Sequence, residues 1–247
     1  MSEDWDFYFC RVDDRAASIF VDLGVASQAP IESLPNLGYV RIHMRAPRED
    51  GLSSQDEFQA LSTLEDALET LQVDGESAYV GRNTSNGCRD LYFYIRTTEH
   101  WHQKVAATMR SFPAYEFESG TRADPSWTTY FDFLHPSEED RERIQNRRTC
   151  DVLERQGDRL DQERPIDHWA YFPEPDSRHA FIAEAKALGY IIQELIEPED
   201  KQRSYGVRLS SVGRPSLHEI DDLTLPLFRA ARAHGGEYDG WEAQVVT

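Results

Sequence analysis

Cysteine is scarce and scattered in this sequence: Cys10, Cys88 and Cys150 are odd in number and contain no close pair. Such spacing builds neither a disulfide framework nor a paired-cysteine zinc site, so buried reduced thiols are expected. Long apolar runs are missing too. No window approaches the roughly 18 residues that a membrane span requires, and the stretch from Met1 to Trp5 has neither the basic start nor the apolar core of a secretory leader. The residues therefore predict a soluble, cytoplasmic protein without membrane association, in which the sequon Asn83-Thr84-Ser85 is incidental. Basic residues are also in deficit, 26 against 45 acidic ones, for a formal net charge of -19. Nucleic-acid affinity rests on basic side chains that displace counterions, so direct nucleic-acid binding is disfavoured. Both halves share the deficit: residues 1–136 hold 11 basic and 22 acidic groups, the remainder 15 and 23. The surplus serves solubility or steers a basic protein partner.

Signatures of catalysis are absent as well. The eight histidines are dispersed, and His100 and His102 stand two apart around Trp101 on a predicted helix, a spacing that points them away from each other. No phosphate-cradling glycine loop or nucleophile elbow occurs. No catalytic residue, metal ligand or cofactor is predicted, and the abundance of carboxylates is not itself evidence for acid-base chemistry.

What is present is material for a core: 39% of residues are hydrophobic and 11% aromatic, over a length of 247 that suits two domains. Residues 6–12 and 16–23 alternate as two strands around Asp13-Asp14, and 37–44 form a third. Ser54 and Glu57 are spaced as a capping box ahead of a helical stripe, Phe58, Leu61, Leu64, Leu68 and Leu71. Residues 77–82 and 88–95 flank Asn86-Gly87, a strong hairpin signal. A second helix opens at Thr98 and stops before Pro113, and residues 115–118 and 128–134 read as two closing strands. Ser137 to Glu163, with 15 of 27 residues charged, reads as a solvated helical connector that breaks at Gly157. Downstream the same order recurs: a strand at 168–172, a helix capped by Asp176 and ended by Gly189, strands at 190–196 and 205–211, a helix opened by Ser216 and Glu219 and kinked by Pro226, and a last strand at 238–246.

The predicted fold class is α+β: two split βαββαβ, ferredoxin-like units with antiparallel sheets, the first extended by an amino-terminal hairpin and an extra strand. Domains are expected at 1–136 and 164–247, joined by the connector at 137–163. Helices on one face leave the other face of each sheet open, where exposed aromatics would contact another protein or a second copy. In the last strand, alternation places Trp241, Ala243 and Val245 on one face and Tyr238 on the other. The candidate protein-contact residues are Asp167, His168, Trp169, Tyr238, Asp239, Gly240 and Trp241.

Family resemblance enters at two places. The run Gly236-Glu237-Tyr238-Asp239-Gly240-Trp241, with its preceding helix, resembles the carboxyl-terminal part of the RraB family, small acidic protein inhibitors of ribonuclease E. Gly157-Asp158 through Arg164-Pro165, followed by Asp167-His168-Trp169-Ala170-Tyr171-Phe172, is similar to a branch of that family in which the domain follows another module. The first part resembles domain-of-unknown-function family 695 through Trp5-Asp6-Phe7-Tyr8, residues 17–23, residues 47–54 and Asp132-Phe133-Leu134-His135-Pro136. That family carries no established activity. For the second domain the resemblance implies a ferredoxin-like fold and regulation by binding a ribonuclease; the short inhibitors bear long acidic tails, whereas this sequence ends at Thr247. The leading expectation is a non-catalytic regulatory protein. The alternatives are an enzyme of unknown substrate with its site between the two domains, and a self-associating structural protein.

Overall fold

Pairs of left-handed residues turn the chain at two places in its first half, and a sheet grows from them. In the computed structural model, which describes residues 4–197, 205–217 and 219–246, Asp13 and Asp14 have φ of 49° and 61°, and Asn86 and Gly87 have φ of 51° and 77°. Two consecutive positive φ values match the twist of the flanking strands, and glycine adopts them without a Cβ penalty. The first turn joins β1 (Trp5–Val12) to β2 (Arg15–Asp22), and the second joins β4 (Ser77–Ser85) to β5 (Cys88–Ile95). With β3 (Asn36–His43) and β6 (Phe117–Ala123) these form one antiparallel sheet in the order β1-β2-β4-β5-β3-β6. The last four strands have the ferredoxin-like order, and the hairpin adds two more at the β4 edge, as its alternation implied.

Helices α1 (Gln55–Glu69) and α2 (Trp101–Met109) lie over one face of this sheet. Their stripe of Leu61, Leu64, Leu68, Trp101, Val105 and Met109 packs on Val40, Ile42, Leu91 and Phe93. The expected capping box does not form. Ser54 makes no capping bond, and the Glu57 carboxylate accepts the backbone N–H groups of Arg45 and Ala46 at 2.8 Å each. Glu57 thus fastens the loop that precedes the helix rather than the helix start.

Residues 128–134 are not the extra strand that their alternation suggested. They wind into a π-helical turn, Thr129–Leu134, because Asp124 offers a local alternative to a ladder. Its carboxylate accepts the N–H groups of Thr128 and Thr129 at 2.8 and 3.0 Å, the Thr129 hydroxyl at 2.8 Å and the Tyr94 hydroxyl at 2.7 Å. Trp127 then stacks on Tyr94 with ring centroids 3.8 Å apart. The closing strand β6 begins at Phe117 rather than at Tyr115.

The chain divides into two compact units, Met1–Asp140 and Arg141–Thr247. In the second, β7 (Arg164–Phe172), β8 (Ile191–Ile196), β9 (Tyr205–Gly213) and β10 (Glu237–Ala243) form an antiparallel sheet in the order β10-β7-β9-β8, again ferredoxin-like. Helices α4 (Pro175–Ala187) and α5 (Ile220–Ala233) connect its strands. Pro175 stands in the first turn of α4, with Glu174 rather than Asp176 at the cap. Pro226 lies inside α5, which runs on to Ala233. Of the helix start expected at Ser216 and Glu219, His218 lies outside the described residues, and α5 begins at Ile220 without a side-chain cap.

Helix α3 (Glu138–Arg155) begins where Ser137 Oγ accepts the Asp140 N–H at 3.1 Å. Most of its charge is on the solvent side, with Glu142 and Arg143 half-buried. Ile144, Asn146, Cys150 and Leu153 are buried, the last two clustering with Ile166, Ile220 and Trp241.

Asp124 organises its turn through four accepted hydrogen bonds. Burial raises its pKa and these bonds outweigh that, holding the carboxyl below the usual range. Replacing Asp124 with Ala should cost about 2–4 kcal/mol of stability by stranding the buried partners. Urea unfolding of the two proteins checks this.

Candidate functional site

The residues singled out in the sequence converge on the pairing of β7 with β10. Along β7, Ile166, His168, Ala170 and Phe172 point to the helices and are fully buried, while Asp167, Trp169 and Tyr171 point the other way and are half-buried. Across from them, Tyr238 pairs with Ala170, Gly240 with Trp169 and Trp241 with His168, which leaves Asp239 as an extra residue. This is a β-bulge, and Gly240 supplies it with a φ of 112°. Opposed residues share a face. Tyr238 and Trp241 therefore both turn inward, at 6% and 8% exposure, where plain alternation separates them. Of the seven candidates, His168, Tyr238 and Trp241 lie inside, Asp167 and Trp169 lie on the outer face, and Asp239 and Gly240 form the edge bulge.

The inward residues form a polar network within the core. One His168 ring nitrogen lies 2.9 Å from the Tyr238 hydroxyl and the other 3.0 Å from the Ser211 hydroxyl, with the Tyr190 ring edge-on at 5.6 Å. Burial lowers the His168 pKa to about 4, so the ring is neutral, with one nitrogen donating and the other accepting. Glu142 stands nearby with its carboxyl pushed up to about 7, first by burial and then by the charge of Asp221. A histidine, a serine and a tyrosine in hydrogen-bonded series have the composition of a catalytic relay. His168 at 0% and Tyr238 at 6% exposure are closed to solvent, and Ser211 is half-buried.

Asn146 joins this core together, and sequence reasoning passed over it. Its amide NH2 donates to Asp221 at 2.8 Å and Thr224 at 2.7 Å, and its carbonyl oxygen accepts the Trp241 indole N–H at 2.8 Å. Arg143 adds an ion pair to Asp221 at 3.2 Å. The signal was the spacing of Asn146, Cys150 and Leu153, one helical stripe whose polar member disguised it.

Among the described residues, the helices pack on the inner face and none covers the outer one. Trp169 stands opposite Arg208 on β9, and Arg208 approaches Asp167 at 4.0 Å and Glu194 at 3.7 Å. Ile191 and Val212, 60% and 65% exposed, extend the same face. Glu237 and Glu242, opposite Tyr171 and Asp167, give the β10 side an acidic border. Among the described residues no three His, Cys, Asp or Glu side chains converge to hold a metal ion, and no helix is long and apolar enough to cross a membrane.

Two predictions follow from the interior. Asn146→Ala leaves the buried Trp241 N–H without its acceptor and takes from Asp221 one of its two partners, and should cost about 2–4 kcal/mol in urea unfolding followed by tryptophan fluorescence. His168 takes a proton near pH 6.5 when unfolded and only near pH 4 when folded, so its contribution to stability falls as pH drops through that window. Glu142 has the opposite sign: its raised pKa makes the folded state gain stability as pH falls from about 7 towards 4.5. His168→Gln removes the first effect alone. Relative to its value at pH 7, the variant should therefore gain on the parent by up to about 3 kcal/mol at pH 4, read from urea midpoints across pH 4–8.

Residues 3–135 match a family of unknown function, DUF695, and residues 143–243 match the family described as Regulator of ribonuclease activity B, RraB. No curated protein matches the chain. A solved structure titled as an unknown protein from Galdieria sulphuraria is 12% identical, with 85% of this chain and 99% of that chain covered and a TM-score of 0.23, an overlap too small to bear on either unit. With one ferredoxin-like sheet under each family match, the chain belongs to the DUF695 family and carries an RraB domain after it.

Proposed function

We propose that this protein is a non-catalytic, cytoplasmic regulator that binds a ribonuclease through its RraB domain, with the outer face of the β10-β7-β9-β8 sheet as the contact surface. One observation carries the reading: within a domain matched by a ribonuclease-regulator family, that face holds Trp169 and Tyr171 half-exposed in an acidic surround. A half-exposed tryptophan supplies large, rigid contact area at low entropic cost, and such residues dominate binding energy at protein interfaces. The contact residues in this reading are Asp167 and Trp169, with Asp239 and Gly240 at the edge. His168, Tyr238 and Trp241 set the shape of the surface from beneath. The negative border fits a basic segment of the partner and would speed encounter with it.

The test combines the full chain with a purified ribonuclease E and follows cleavage of a single-stranded RNA. The expected result is slowed cleavage, with Trp169→Ala weakening binding by at least about 10-fold while its urea midpoint stays near that of the parent. A full chain that neither binds the ribonuclease nor changes the cleavage rate at saturating concentration would sink the reading.

A further inference from the structure

The first unit contains a pocket whose chemistry runs against the composition of the chain. Strands β1 and β2 carry the sheet past the reach of α1, so their helix-side residues face a hollow instead of a core. Phe7 stands opposite Phe20, Phe20 opposite Arg82, Ser18 opposite Thr84 and Thr84 opposite Arg89, which places all of them on one face. The segment leading into α1 supplies the facing wall with Arg48 and Leu52, and the first turn of α1 adds Phe58, around a cavity of about 400 Å³. Its lining holds three arginines and no carboxylate, in a protein where acidic residues far outnumber basic ones.

Two arginines form the base of the pocket. Arg89 is 1% exposed and Arg82 lies with its guanidinium 4.9 Å from the Phe20 ring centre. Both pair with the same carboxylate: Glu65 accepts Arg82 Nε at 2.7 Å and Arg89 Nη1 at 2.9 Å, and it also accepts the Tyr79 hydroxyl at 2.8 Å. Thr84 accepts Arg89 Nε at 3.3 Å. Two guanidiniums thus bond one carboxylate, with Glu69 adding its charge to Arg82 from further off, and the guanidinium N–H groups that bond neither Glu65 nor Thr84 are left for a ligand. Burial, and then the charge of Arg82, lowers the Arg89 pKa. At the rim, Arg48 is paired with Asp50 at 2.5 Å and balanced. The rim is otherwise apolar, with Phe7, Phe9 and Phe58 at 37%, 60% and 49% exposure.

We infer that this pocket binds a small monoanionic carboxylate with an aromatic or aliphatic body, the carboxylate meeting Arg82 and Arg89 and the body lying among the phenylalanines. A guanidinium presents parallel donors that match a carboxylate. The volume is in the range of small-ligand sites, which combine apolar walls with a few placed polar groups. Two guanidiniums already bonded to one carboxylate, with Glu69 further off, suit a monoanion better than a phosphate dianion.

The probe is 3-phenylpropionate, titrated into the full chain by calorimetry and by ligand-observed NMR, beside its neutral amide and phenyl phosphate. The carboxylate should bind at least about 10-fold more tightly than the amide. Arg82→Gln, at a partly exposed position, should weaken it by a similar factor, and Phe58→Ala, on the exposed side of α1, should weaken it by a smaller one while circular dichroism stays unchanged. Failure of the carboxylate to bind, equal binding of the amide, or no loss on either substitution would overturn the assignment. Tighter binding of phenyl phosphate would overturn the choice of a carboxylate. The ribonuclease assay reads the RraB domain, so either idea can fail without the other.

Discussion

A single inserted residue in β10 decides which aromatic side chains of that strand the second sheet buries. Gly240 holds a φ of 112°, so Asp239 has no counterpart on β7, and Tyr238 and Trp241 fall on the same side of the sheet. Without the bulge one of them would project outward and the core would lose a large ring. With it, both join the buried polar network, and Trp169 and Tyr171 are the large aromatics that β7 leaves on the outer face. The bulge thus fills the core with both rings, beside the face that we propose as a contact surface, as bulges often stand beside such sites.

The interior polar groups of the two units follow a common logic. Asn146 in the second unit and Glu65 in the first each satisfy three donors or acceptors drawn from different elements. A buried polar group with every partner present fixes which elements meet and in what register, and it becomes costly when one partner is removed. In the second unit this explains why the charged sequence of α3 still docks: Asn146 offers bonds to β10 and α5 that water cannot replace once Ile144 and Cys150 are covered. His168 obeys the same rule by remaining neutral between two hydroxyls.

Much of this architecture was legible in the amino-acid order, and the misses share a cause. Asn86-Gly87 marked its hairpin, the leucines of α1 marked its buried face, and the recurrence of strand, helix, strand, strand, helix, strand marked both sheets, because each signal is local and periodic. Residues 128–134 were misread because alternation was weighed without Asp124, whose carboxylate captures two N–H groups and seeds a turn. The box at Ser54 and Glu57 had the right spacing, but the glutamate had a better use in holding Arg45 and Ala46. At the site, alternation along the last strand separates Tyr238 from Trp241, whereas the bulge shifts the period by one residue and turns both inward, leaving no mark in the sequence beyond a glycine. The arginine pocket was illegible for a different reason: Arg48, Arg82 and Arg89 are scattered among acidic neighbours in sequence and meet only through strand pairing.

The two proposed binding surfaces place opposite demands on electrostatics, and the range of the forces reconciles them. At physiological ionic strength the screening length is about 8 Å, so the net charge of -19 acts mainly on the encounter with a large partner whose charges approach the surface closely. That favours a basic protein segment at the outer face of the second sheet. A small anion entering the first unit meets repulsion at the surface but is held by groups within hydrogen-bond distance, where Arg82 and Arg89 prevail over a screened distant field. The same acidic composition that argues against nucleic acid is therefore compatible with an anion pocket. It requires only that the pocket bring arginines together on a lining without a carboxylate, and its lining does so.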